Sequence, residues 1–205
     1  MTPAWQAGVV VDGVLVATSR DDSSLDRAMD RYAAGDDAAF GELYEGLAPR
    51  LYGFLHRQTR DEALADDLLQ QTMLRIHGAR GRFVEGAAVI PWAFAIARRG
   101  IIDAHRRGRR IVLAQDADEG DAADLLASVD ASAEELVDAQ GLADVLRATL
   151  ADLPENQRVA FELVKQEGLS LGEAAAVLGT TVAAVKLRAH RAYEALRAAI
   201  ARRPS

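Results

Sequence analysis

The chain has 205 residues, a net charge of −7, and 50% hydrophobic but only 5% aromatic residues, enough for one or two domains of ordinary size. It has no cysteine, which excludes disulfides and thiolate metal sites and suits a reducing compartment. No apolar run is long enough to span a bilayer and no basic region precedes the first apolar patch, so neither an anchor nor a secretory leader is expected, and the expected location is the cytoplasm.

Residues 1–24 read as an N-terminal extension. Asp12-Gly13 between two short β-branched runs is a hairpin signal; a floppy tail, or a true start at Met29, are the alternatives. Residues 25–112 read as helices. Gly35-Asp36-Asp37 breaks the first. The next carries Phe40, Leu43, Tyr44, Leu47, Leu51 and Leu55. A third runs from Asp61 to His77, with Ala65, Leu68, Leu69, Met73, Leu74 and Ile76 on its apolar faces. Gly78 to Val89 holds three glycines and little periodicity, so it reads as a loop. Pro91 suits the first turn of the following helix, in which Trp92, Phe94 and Ile96 read as core and which ends in an Arg cluster.

Residues 113–134 are acidic and lack aromatics, the composition of a linker. Residues 135–205 read as a second helical unit. Its most informative stretch is LSLGEAAAVLGTTVAAVKLRAHRAYEAL. Ser170 and Glu173 have capping-box spacing. Ala174, Ala175 and Leu178 give an apolar side, and Gly179 permits the bend that ends the helix. Thr180 or Thr181 can cap the next helix, whose Val182, Val185, Ala189, Ala192 and Leu196 form one inward stripe. Lys186, Arg188, His190 and Arg191 project elsewhere. This is a helix-turn-helix pattern, whose second helix can enter a DNA major groove.

The acidic total hides segregated charge. Arg98 to Arg110 contains six Arg and one acid; Val112 to Leu146 contains ten acids and no Lys or Arg; Lys186 to Arg203 contains six Lys or Arg and one acid. Local field, not net charge, decides attraction to nucleic acid. Six clustered Arg repel one another unless an anion relieves them, which favours phosphate contact. Asp66, Asp67 and His77 raise the rival reading of a metal-dependent hydrolase. Adjacent carboxylates on a helix diverge by about 100°, and His77 is ten residues from Asp67, so the geometry is poor. No nucleophile-base pair, phosphate-cradling loop or metal-ligand spacing is present, and neither catalysis, a metal nor a cofactor is expected.

In this order the pieces resemble a bacterial sigma-70 family factor of the small extracytoplasmic-function group, over about Leu25 to Leu196. DRYAAGDDAAFGELYEGLAPRLYGFL, ADDLLQQTMLRIH and PWAFAIARRGIIDAHRRGRR resemble region 2. LADLPENQRVAFELVKQEGLSLGEAAAVLGTTVAAVKLRAHRAYEALR resembles region 4. The resemblance implies an all-α chain of two small helical domains joined by an acidic linker. It implies a promoter-specificity subunit that directs initiation by recognising −10 and −35 elements and is not itself an enzyme. The implied partners are the polymerase core, through its β′ clamp and β flap, promoter DNA and an anti-sigma protein.

Residue by residue, Asp67 and Gln70 match clamp-contacting positions. The loop around Arg80 to Ala88, with Arg80 and Arg82, matches the one that captures a flipped −10 base. Arg98, Arg99, Arg106, Arg107 and Arg109 match or extend the basic positions along −10 DNA. Arg158, Ala184, Lys186, Leu187, Arg188, His190 and Arg191 match positions for −35 DNA. The chain departs from the family pattern at several sites. Gln70-Gln71 stands for Gln-Glu, Arg99 for Asn, and Ala174 for the Ile of Glu-Ile-Ala. Ala184 and Leu187 stand where hydroxyl residues are usual, which implies methyl contact in place of hydrogen bonding at −35. The acidic linker is implied to thread the cationic RNA path of the polymerase. A stand-alone helix-turn-helix regulator is the alternative function.

Overall fold

The computed structural model of the protein describes residues 22–112 and 145–202, with backbone alone at 22 and 108–112. The suggested hairpin and the acidic linker lie outside the described residues. Among those described there is no strand, and the chain is helical, as the resemblance implied.

Helix α1 (Asp22–Ala33) begins inside the stretch assigned to the extension. Gly35, at φ 106, ends the turn that follows it; only glycine takes that conformation without strain. α2 (Ala39–Thr59) buries Leu43, Leu47, Leu51, Phe54 and Leu55. α1 crosses it closely at Gly46, where a Cβ would collide with the Leu25 side chain. α3 (Glu62–Ala79) is capped by Asp61, whose carboxylate accepts the Leu64 N–H at 3.0 Å. It buries Ala65, Leu68, Leu69, Met73 and Ile76 but not Leu74, which is 69% exposed, contrary to its expected place on the apolar face. A 3-10 turn (Arg80–Arg82) and a loop lead to α4 (Val89–Val112). Phe94 of α4 meets Phe54 of α2 edge to face, centroids 5.2 Å apart, within the heart of the first half.

The second half opens with residues 145–152 (α5), followed by α6 (Glu155–Phe161). α6 passes into a π turn (Glu162–Gln166), closed by the Glu167 N–H donating to the Glu162 carbonyl at 2.9 Å. α7 (Leu171–Leu178) and α8 (Val182–Ala201) follow. Between them stands the expected turn. Ser170 accepts the Glu173 N–H while the Glu173 carboxylate accepts the Ser170 N–H, completing a capping box. Gly179 is left-handed at φ 62, and Thr181 caps α8 by accepting the Ala184 N–H at 3.2 Å. Val185, Ala189, Ala192 and Leu196 are buried, with Val177 joining them from α7; Val182 is 48% exposed and falls outside the stripe, because it occupies the first, partly solvated turn.

One apolar core runs through both halves. It joins Met29, Leu43, Leu51, Phe54, Ile76 and Phe94 with Val159, Leu163, Leu169, Ala174 and Val185. α7 packs on α4, and α6 packs on α8. Each fully buried Leu or Phe contributes about 1.5–3 kcal/mol, so this shared core binds the two halves as well as forming each.

Candidate nucleic-acid interface

Three surfaces carry the residues singled out in the sequence. On α3, Asp67, Gln70 and Leu74 are exposed at positions one and two helical turns apart, so they share a face. Leu74 belongs to this outward stripe and not to the core. The Asp67 carboxylate accepts a hydrogen bond from Gln71 Nε2 at 2.6 Å. The two lie at i, i+4, the spacing at which an amide and a carboxylate pair on one helix face.

The second surface is the loop after α3 and the helix it feeds. α1 holds this loop in place, a role sequence reading missed because it depends on contacts between distant segments. The Asp26 carboxylate accepts the Val89 N–H at 2.8 Å and the Asp30 carboxylate accepts the Gly86 N–H at 3.1 Å. Phe83 packs edge to face on Trp92 at 5.1 Å. Between these anchors Val84 stands 71% exposed, an apolar group presented at a loop tip. Arg82 is exposed, but Arg80 is engaged within the fold. Its guanidinium donates to His77 Nδ1 at 2.8 Å, lies 5.1 Å over the Tyr32 ring, and pairs with Asp37 at 3.6 Å. Along α4, Arg99, Arg106 and Arg107 are exposed and Arg98 is half-buried; Arg109 is helical, and its side chain lies outside the described residues.

The third surface is α8. The buried stripe turns Lys186, Leu187, His190 and Arg191 to solvent, with Arg188 and Ala184 half-buried at the flanks. Leu187 is 49% exposed. An apolar side chain standing between cations matches a groove that offers thymine methyls beside phosphates. Arg158 lies on α6, away from this face. It is half-buried one turn before Glu162, and its Nε is buried without a hydrogen-bond partner.

Elsewhere, among the described residues, no group of three or more His, Asp or Glu gathers as a metal site, and no helix is long and apolar enough to cross a membrane. The arrangement is that of an all-α protein with two basic helices, α4 and α8, each seated on its own buried stripe, and an exposed polar face on α3, which packs on α4.

The sequence and fold comparisons agree with this class. Sigma-70 region 2 matches residues 43–111, and sigma-70 region 4 matches residues 143–196. The chain is 40% identical over 169 residues to RNA polymerase sigma factor CarQ of Myxococcus xanthus, covering 82% of this chain and 93% of that one. It is 35% identical to the ECF sigma factor SigF of Caulobacter vibrioides, over 85% of this chain and 93% of that one. The sigma factor RpoE of Bartonella quintana, solved with the anti-sigma factor NepR, superposes with a TM-score of 0.66 at 22% identity, covering 80% of this chain and 98% of that one. CnrH, solved with the cytosolic domain of CnrY, gives 0.60 at 26%, covering 86% and 97%. The chain belongs to the extracytoplasmic-function group of the sigma-70 family. It is a promoter-specificity subunit of bacterial RNA polymerase.

Proposed function

We propose that this chain performs promoter recognition with the three surfaces described, in the cytoplasm and without catalysis of its own. α3 docks on the β′ clamp through Asp67, Gln70 and Leu74. The loop from Phe83 to Ala88, pinned by Asp26 and Asp30, receives an unstacked −10 base, a step that needs a pocket held in shape. Arg82, Arg98, Arg99, Arg106, Arg107 and Arg109 neutralise the adjacent backbone, and Arg80 props the loop while sharing that field. α8 enters the −35 major groove with Ala184, Lys186, Leu187, Arg188, His190 and Arg191, and Arg158 supplies an upstream phosphate contact once it is uncovered. Residues 113–144 separate the two DNA-reading halves, and their acidity suits a cationic path that ordinarily holds nucleic acid. The β flap receives the C-terminal half. The boundaries 1–24, 25–112, 113–134 and 135–205 remain the working division.

A partner that restrains the chain also fits, since RpoE was solved with the anti-sigma factor NepR. The observation that carries the functional reading is the pair of exposed basic helices on separate buried stripes in one chain. Each alone binds weakly, and affinity comes from holding both at the right separation. Reconstitution with purified core polymerase tests this: transcripts should start at one position downstream of a fixed −35 and −10 pair, and only with core present. Tight, specific promoter binding by the isolated chain, with no association to core, would establish the stand-alone regulator instead.

A further inference from the structure

Two side chains from separate elements converge on the ring of His77, in the last turn of α3. The Tyr32 hydroxyl, on a residue only 2% exposed, hydrogen-bonds to Nδ1. The Arg80 guanidinium reaches the same ring, its Nη1 2.8 Å from Nδ1 and 3.2 Å from Nε2. Tyr32 packs on Phe40, ring centroids 5.4 Å apart, so the seat that receives Arg80 is built on the helices and not on the loop. Arg80 in turn sets the stem of the loop. Its backbone N–H donates to the His77 carbonyl, and its own carbonyl accepts the Phe83 N–H at 3.0 Å. His77, Arg80 and Phe83 are thus linked at three-residue steps, and the chain of contacts ends where Phe83 meets Trp92. At the other end of the loop Asp26 and Asp30 hold Val89 and Gly86.

The ring can seat Arg80 only while it is uncharged. A guanidinium offers donors and no lone pair, so the ring must supply the acceptor. A proton on the ring changes its two contacts differently. The Tyr32 hydroxyl is both donor and acceptor and can turn to accept. Arg80 cannot, and meets a second cation where an acceptor stood, 2.8 Å away. Two like charges at contact on a protein surface shift an equilibrium by about fivefold or more. No carboxylate among the described residues lies within ion-pair reach of the ring to offset that repulsion. Asp37, in the turn before α2, pairs with Arg80 at 3.6 Å and is 79% exposed. Arg31 of α1 is taken up by Glu42 and Asp36, and Arg75 of α3 by Asp103 of α4. Arg82 points to solvent. Imidazole is the side chain that changes charge between about pH 5 and pH 8.

We propose that His77 is a positioning residue for the −10 loop: its uncharged ring seats Arg80 and, through Arg80, the 3-10 turn from which the loop springs, and a proton on the ring unseats both. Capture of an unstacked base needs a pocket held in shape, so promoter opening by this chain is stronger in neutral than in acid solution. That consequence rests on the −10 reading of the loop. The seat itself belongs to the free chain and is measurable without DNA.

Amide hydrogen exchange at Phe83 and Gly86 of the free protein, corrected for the intrinsic rate at each pH, reads the loop directly. Protection should fall by about fivefold or more from about pH 8 to about pH 6 in the wild type. It should hold level in His77→Gln, whose amide oxygen accepts from Arg80 and whose side chain takes up no proton. Holoenzyme assembled with core polymerase should show the same contrast in the lifetime of the permanganate-reactive −10 region. Dividing the wild-type lifetime by that of the variant at each pH removes what core and DNA contribute. Arg80→Gln, at a half-buried position, is the second variant should His77→Gln fail to fold. With the cation gone the fall in acid should vanish, from a lower starting level. A wild-type protection profile parallel to those of the variants would overturn the seat. A seat that loosens in acid, with −10 lifetimes that keep a constant wild-type to His77→Gln ratio, would sink the −10 assignment of the loop and leave the seat intact.

Discussion

At the scale of single residues, two positions carry most of the specific chemistry. Leu187 presents an apolar side chain, half exposed, at the centre of the α8 face proposed to read −35. Leu187→Ser should leave stability within about 0.5 kcal/mol, since the site is solvated, yet change −35 preference, each altered base contact being worth about 1–3 kcal/mol. Selection of −35 sequences from a randomised promoter pool checks this, and an unchanged preference would show that Leu187 does not touch bases. Glu162 is the other. Burial raises its pKa above the ordinary 4.5, and the opposing attractions of Arg57 and Arg158, with hydrogen bonds from Gln58 and Arg57, do not cancel that effect. A carboxyl with a raised folded value holds its proton better folded than unfolded. Its contribution is fully present below the ordinary value and is lost as pH climbs through the raised one. Acidifying from about pH 7 toward about pH 5 should therefore raise the Tm of the wild type relative to Glu162→Gln. Parallel Tm-against-pH curves for the two proteins would remove Glu162 from the account. The groups that share its surroundings are Arg57, Arg158, Gln58 and, one step beyond, Arg50 and Glu167.

At the scale of elements, the helix-turn-helix was legible in the sequence because its signals are local. Ser170 with Glu173, Gly179 and Thr181 each act within four residues, and the structure uses all of them. Ser170→Ala should lower stability by about 1 kcal/mol through loss of the cap, and Gly179→Ala by at least as much at φ 62. Thermal melts check both, and a neutral Ser170→Ala would mean that water replaces the cap at no cost. What periodicity could not supply was which edge of an apolar stripe meets solvent. Leu74 and Val182 continue their helices' apolar patterns, yet both face outward: Leu74 shares the exposed face of Asp67 and Gln70, and Val182 opens the first turn of its helix. The sequence places Arg80 in the −10 loop, and only the fold brings Tyr32 and Asp37, more than forty residues away, around it. The contacts of Arg57 and Gln58 with Glu162 and Glu167 span more than a hundred residues. No local spacing encodes them.

At the scale of the molecule, the common core and the ion pairs of Arg57 with Glu162 and Glu167 make the halves energetically one body. Calorimetry of the free protein should give a single transition whose van't Hoff and calorimetric enthalpies agree. The Arg57→Ala, Glu167→Ala protein should resolve into two, and a two-step melt already in the wild type would show that the shared core adds little coupling. The π turn gives this body an unusual tuning point. A five-residue ring differs from a four-residue one by a single inserted residue, and such insertions cluster where helices serve a function. Here it lies between α6 and the capping box, and it is the means by which Glu162 and Glu167 both reach α2. Removing one residue between Val164 and Gln166 would restore an ordinary α-helical ring and swing Glu167 by about 100° around the axis. The cap at Ser170, the bend at Gly179 and every cation of α8 would be left in place. One codon lost would thus reset how the two halves are joined, while the residues of α8 keep their sequence.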